Sequence, residues 1–255
     1  MMAWAEEAGA NWDMDIAERT LISFFEQAIA QSPMAAKAVF AQIGDFMHWD
    51  GLEAVTPSNK HVLDADTRFT KVVRLTIRLI RRVIGMLLQK YPVVTVIMAE
   101  GNHDPASSVW LREMLSEFYR DEPRLKIETN PDPYYCTIWG KCCLFYHHGH
   151  KRNLKNIDTV FVSKFKKEYG ESEYVYAHLG HLHHQVVNET NLMILEQHRT
   201  LAAKDAYASR GGYMSGRDSK VITYHKDFGE VARSTISIDM IEAPEEETID
   251  FRYIG

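Results

Sequence analysis

Eight of the chain's twelve histidines fall in four short segments that each follow an apolar, strand-like run, and a ninth, His178, ends one of those runs. Ala38–Ile43 leads into Gly44-Asp45 and His48. Val93–Met98 leads into Gly101-Asn102-His103-Asp104. Cys142–Tyr146 leads into His147-His148-Gly149-His150, and Tyr174–His178 into Gly180-His181-Leu182-His183-His184. This pattern constrains the fold more than any other feature. In an α/β architecture the loops that follow strand C-termini converge on one site. Asp45, Asn102, His148, His181 and His183 can therefore meet in space although they are far apart in sequence. Mixed oxygen and nitrogen donors suit Mn, Fe, Zn or Ni better than Ca or Mg. A carboxylate such as Asp45 can bridge two cations, and a metal pair of that kind performs in-line phosphoryl displacement.

The rest of the chain supplies an ordinary α/β frame. Asp15-Ile-Ala-Glu18 has the form of a capping box, opening a helix that Ser32-Pro33 stops. A long helix is expected over about 66–90, with Val72, Ile80, Ile84 and Leu87 on its apolar face and Arg74, Arg78, Arg81 and Arg82 on another, solvated face. Shorter helices are expected over 110–119 and 154–169. Strands are expected at 125–128, in a hairpin of 134–138 and 142–146, and at 192–196, 221–224 and 235–238. Residues 51–62 read as a polar loop. With 255 residues, 45% of them hydrophobic, the chain can bury a real core. We read one domain over 1–255: a motif-bearing core at 38–184, C-terminal strands at 185–243 and an acidic tail at 244–255. The net charge of −6 argues against general polyanion binding. Three cysteines without CxxC spacing argue against a disulfide or thiolate-zinc framework and favour a reducing cytoplasm. Val93–Ala99 is far shorter than the roughly 20 residues of a membrane span, and MMAWAEEAG has no signal-peptide character.

Gly44-Asp45 alone is a common strand-to-loop turn. GD, GNHD, HG and GHLH together and in this order resemble the calcineurin-like metallophosphoesterase superfamily, over about residues 38–184. The resemblance implies an αββα four-layer sandwich of two mixed sheets flanked by helices. It also implies two divalent metals, usually manganese, acting on phosphomonoesters or phosphodiesters. In that pattern Asp45 matches the bridging carboxylate, Asn102 and His148 ligands of the second metal, and His181 and His183 the last pair, one on each metal. His103 matches the group that contacts phosphate and protonates the leaving oxygen. Asp45-Phe46-Met47-His48 resembles the GDxxH form of the SbcD-like DNA nucleases, which implies that His48 lies near the scissile phosphate. Phage-encoded phosphoesterases share this general pattern. Lys151 and Arg152 follow the HG loop and are candidates for holding a polyanionic substrate.

One departure matters. The superfamily begins with a strand ending in Asp-x-His, and none precedes Asp45 here. Asp13-Met14-Asp15 is the nearest substitute, and Asp15 reads better as a helix cap. The expected fold thus lacks its first strand. The first metal would keep only Asp45 and His183. The second would keep Asp45, Asn102, His148 and His181, so about one tightly held metal is expected. The reading is a phosphodiesterase acting on DNA, through hydroxide generated at metal with His103 as general acid. The alternatives are a phosphomonoesterase of protein or small molecules, and a catalytically impaired domain that binds metal or nucleic acid.

Overall fold

A computed structural model describes residues 12–55, 57, 60, 68–152, 154–203 and 215–242. The first helix, α1 (Met14–Gln31), opens two residues earlier than the capping-box reading: Asp13 is the cap, its carboxylate accepting the Ile16 N–H at 2.7 Å. Asp15 sits in the first turn instead, where its charge favours the helix N-terminus. Buried Ala17, Thr20, Phe24 and Ala28 recur every three or four residues and form its inner stripe. Helix α2 (Phe69–Lys90) buries Val72, Leu75, Leu79, Ile80, Val83, Ile84 and Leu87 in the same rhythm. Ile80, Val83 and Ile84 lose all solvent contact, worth roughly 1.5–3 kcal/mol each. On the arginine face Arg78 pairs with Glu18, Arg82 with Glu26 at 3.3 Å, and the Arg81 guanidinium lies 4.1 Å from the Phe118 ring.

Strands β1 (Ala38–Gln42), β2 (Val94–Met98) and β3 (Leu125–Ile127) form an all-parallel sheet in that order. β2 is buried at all five positions, as a central parallel strand must be. The second sheet is mixed. β4 (Tyr135–Trp139) and β5 (Cys142–His147) make the hairpin, and β5 runs parallel to β6 (Tyr174–Leu179). β6 runs parallel to β8 (Ile194–Gln197), which pairs antiparallel with β7 (Val186–Glu189). The β7 strand was not foreseen, because its largely exposed residues carry no apolar alternation. The expected 154–169 helix is two pieces, α4 (Ile157–Lys164) and α5 (Lys166–Gly170), broken at Phe165. The late strands are longer than expected: β9 (Asp218–His225) and β10 (Gly229–Ser237) form an antiparallel pair, followed by the short α6 (Ile238–Glu242). The acidic tail lies outside the described residues.

Side-chain alternation decides what each face touches. Phe40 of β1 and Val94, Val96 and Met98 of β2 pack under α2 and under α3 (Pro105–Phe118), through Leu111 and Leu115. Val39, Ala41 and Ile97 point the other way, with Leu144 and Tyr146 of β5. Cys143 and Phe145, the alternate residues of β5, pack on Ile157 and Phe161 of α4. The three cysteines are free, with Cys136 and Cys143 sulfurs 3.5 Å apart. Among the described residues no helix is long and apolar enough to cross a membrane.

Candidate metal centre

Register positions the centre. Gln42 pairs with Met98, so Gly44-Asp45 and Gly101-Asn102 leave the first sheet side by side. His147 pairs with Leu179, so His148 and His181 leave the second sheet together. The two ends are tied: His148 Nδ1 donates to the Ile43 carbonyl at 2.7 Å, and the Gly180 N–H to the His148 carbonyl at 3.0 Å.

That bond to Ile43 fixes Nδ1 as the protonated nitrogen of His148, because a carbonyl can only accept. Nε2 then faces two oxygens, Asp45 Oδ2 at 3.0 Å and Asn102 Oδ1 at 3.1 Å. A second proton on Nε2, shared between the oxygens, would satisfy all three. Burial disfavours the charged imidazolium, but the Asp45 carboxylate outweighs it and the His148 pKa is raised. Burial likewise pushes Asp45 up, yet the hydrogen bond and charge of His148, with help from His103, hold it well below the usual carboxylate range. Three lone-pair atoms thus converge on one point, which a divalent cation would fit as well as a proton.

His181 completes a three-residue group with Asp45 and His148, donor atoms within 4.8 Å of one another. Burial, and then the charge on His148, push it down to about 4, leaving the imidazole neutral and its lone pair available. His183 is exposed and stands outside that group. Asp45, His181 and His183 have φ of 55°, 72° and 56°. Such left-handed conformations cost about 1–3 kcal/mol each and persist where the surroundings impose them. The glycines make the close approach possible. A Cβ on Gly101 would lie 1.9 Å from Asp45 Oδ1, and one on Gly44 would lie 2.4 Å from His148 Nδ1.

His103 lies beside the group. Its N–H donates to Asp45 Oδ1 at 2.9 Å, and its Nδ1 donates to the His48 carbonyl at 2.9 Å. The His48 ring stacks on it, centroids 5.7 Å apart, and burial keeps His48 neutral. Lys151 is engaged by Glu100 at 2.7 Å, while Arg152 is exposed on the following loop.

Sequence reasoning gave no role to Asp104 and Asp50, and read His150 either as a support for the neighbouring ligands or as a surface histidine. Buried Asp104 accepts the N–H groups of Gly101, Asp45 and Met47 at 3.0, 3.2 and 3.0 Å, bracing both loops. Burial, then the Asp45 charge, push its pKa up to about 6. Its only signal was its place as the last residue of GNHD. Asp50 accepts the Ala106 and Ser107 N–H groups, both at 2.6 Å, at the start of α3. His150 has a buried Nδ1 without a partner among the described residues, its ring 5.3 Å from that of His148.

A second titratable group was also missed. His178, Glu196 and His198 hold donor atoms within 4.8 Å of one another. His178 bridges His198 and the Tyr224 hydroxyl, each at 2.9 Å. Here cations are already present: Arg233 lies 2.9 Å and Lys220 3.8 Å from the Glu196 carboxylate. Burial pushes both histidines down to about 3; for His178 the next cause is His198, and for His198 it is Lys220.

Neither a protein-family model nor a curated protein matches the chain. Among solved structures, a similar chain is Vacuolar Protein Sorting 29 from Cryptosporidium parvum, with 15% identity over 71% of this chain and 92% of that one and a TM-score of 0.30. At that score the likeness carries no argument about fold or activity.

Proposed function

We propose that this chain is a metal-dependent phosphoesterase of the calcineurin-like kind, its helix–sheet–sheet–helix succession being the αββα sandwich of that superfamily. The observation that carries the reading is the convergence of His148 Nε2, Asp45 Oδ2 and Asn102 Oδ1 on one point, with His181 beside it. Asp45, Asn102, His148 and His181 would hold one divalent ion, manganese being the family's usual choice. His183, exposed and with Asp45 as its only companion from the motif set, would hold a second ion weakly. A bound divalent ion lowers the pKa of a water and neutralises phosphate oxygens.

The chain's own groups do the rest. Asp45 and Asn102 are oriented by the strained turn and by Asp104. His103 has its Nδ1 tied to the His48 carbonyl, so Nε2 is the nitrogen that gives or takes a proton, and it would protonate the departing oxygen. The neutral His48 ring stacked on it would contact the phosphate, as in the SbcD-like pattern. Arg152 and Lys151 would receive a phosphodiester, DNA being the proposed substrate. Hydrolysis of bis-p-nitrophenyl phosphate with added Mn²⁺, faster than of p-nitrophenyl phosphate, supports the phosphodiesterase reading. The reverse order makes the chain a phosphomonoesterase. A second reading is favoured by the compact donor group having three members: a metal-binding domain with feeble turnover, identified by stoichiometric Mn²⁺ binding with hydrolysis of neither substrate.

A further inference from the structure

The three cysteines are all that the chain has, and the strands sort them. β4 and β5 pair antiparallel, with Cys136 opposite Phe145 and Ile138 opposite Cys143. Side chains alternate along a strand, so Cys136 and Cys143 are diagonal neighbours on one face of the hairpin, and Cys142 is on the other. The contacts agree. Cys143 belongs to the cluster that includes Ile157 and Phe161 of α4, and Cys136 packs against it. The Cys142 thiol instead donates to the His225 carbonyl of β9 at 3.2 Å. Between Cys136 and Cys143 the sulfurs are 3.5 Å apart. Cys143 has no solvent contact, whereas Cys136 is half-buried.

We propose that Cys136 and Cys143 form a reversible dithiol–disulfide couple that exchanges with low-molecular-weight disulfides such as oxidised glutathione. Cys136 is the entry thiol, because it is the one that solvent reaches. Its thiolate attacks one glutathione sulfur, the glutathione S–S bond breaks, and one glutathione leaves as a thiolate that takes a proton from water. Cys143 then gives its proton to water, and its thiolate attacks the Cys136 sulfur of the mixed disulfide. The second glutathione leaves, so two protein thiols are oxidised while one glutathione disulfide is reduced to two thiols. Forming the bond closes the sulfurs from 3.5 Å to about 2.05 Å. The contact between the pair sets the order of the steps. The hydrogen bond to Cys136, and then burial, push the Cys143 thiol up, and the Cys136 charge adds to this. Cys143 therefore keeps its proton and donates it to Cys136 while Cys136 is free. A capped Cys136 carries no charge, so that hold is released when the second step needs it. The bond would cross-link a hairpin whose turn already brings its strands together, so it adds little stability and stays easy to reduce. Cys142 is the internal control, a buried thiol with a carbonyl partner and no second cysteine on its face. The couple uses no residue of the metal centre.

Redox titration of the full, folded chain tests this. The reduced chain is equilibrated in glutathione buffers running from reduced to oxidised, alkylated, digested with trypsin and analysed by mass spectrometry. Lys141 lies between the two cysteines, so cleavage there leaves a cross-linked pair of peptides wherever the bond has formed. The wild type should yield that pair in oxidised glutathione and lose it on return to reduced glutathione. Cys142→Ser should behave like the wild type. Cys143→Ser should lose the cross-link by about tenfold or more and hold one glutathione on Cys136 instead. Cys136→Ser should give neither product. Circular dichroism before and after oxidation shows which chains are folded, and the wild type alone suffices to refute the couple. A folded wild type that stays a dithiol in excess oxidised glutathione overturns the proposal, as does a mixed disulfide that persists on it without closing. So does a cross-link that needs Cys142, or one that forms only when the chain is denatured.

Discussion

Two clusters of three titratable side chains lie at the same end of the molecule and differ in one respect. Around Asp45 no lysine or arginine pairs with the carboxylate among the described residues; its partner is His148, whose pKa Asp45 raises against the cost of burial. Around Glu196 the negative charge is already met by Arg233 and Lys220, and His178 and His198 stay neutral. The backbones differ too. Asp45 and His181 sit in left-handed turns braced by glycines and Asp104, whereas His178 and Glu196 are ordinary residues of β6 and β8. Donor type and spacing alone would rank the clusters equally. Charge compensation separates them: a carboxylate with two cations beside it has little to gain from a divalent ion that those cations repel. Strain points the same way, since it is retained where something other than stability is selected.

The largest contrast is expected from Asp45→Asn, which should abolish tight Mn²⁺ binding and any hydrolysis that depends on it. Glu196→Gln should leave the Mn²⁺ affinity within about threefold, so calorimetry on the two variants separates the clusters or fails to. His103→Ala comes next. It should cost roughly 10²–10⁴ in kcat on substrates with poor leaving groups. The loss should be much smaller with p-nitrophenyl esters, whose leaving group departs without a proton, and metal content should not change. Equal losses on both substrate types would remove the acid role. Gly101→Ala forces a Cβ against Asp45 and should weaken metal binding about 10–100-fold, the scale seen when the groups orienting a ligand are disturbed.

The smallest effect concerns pH. His178 and His198 are held near 3 in the folded chain and return to about 6.5 on unfolding. The unfolded chain then binds more protons, so the stability they contribute is present above about 6.5 and is lost as pH falls toward 3. The double variant His178→Gln/His198→Gln should flatten the decline of Tm between pH 6.5 and 4.5, measured by circular dichroism without metal. An unchanged slope would mean that these imidazoles are not held neutral.

Much of the frame was legible because it is local. The buried run Val94–Met98 and the stripe of α2 announce themselves by period, and the four loops by composition. The gathering of Asp45, Asn102, His148 and His181 followed from strand order alone. What was illegible depended on pairing across the fold. His198 meets His178 because β8 lies beside β6, and nothing near residue 198 signals it. Asp104 reads as a motif's last letter until three N–H groups from two loops are seen to converge on it. The shift from Asp15 to Asp13 as helix cap is a local error: both residues suit a cap, and only the Ile16 N–H decides between them. β7 and the break at Phe165 carry no apolar period to read.

The central claim is that the Asp45 cluster, and not its neighbour, is the cation site. Crystals grown with Mn²⁺ and measured at the manganese absorption edge test it most directly. The account predicts an anomalous peak at bonding distance, about 2.0–2.3 Å, from His148 Nε2, an Asp45 oxygen, Asn102 Oδ1 and a His181 nitrogen, with no peak beside Glu196. A peak between His178, Glu196 and His198, or density at Asp45 that stays empty at millimolar Mn²⁺, would contradict it.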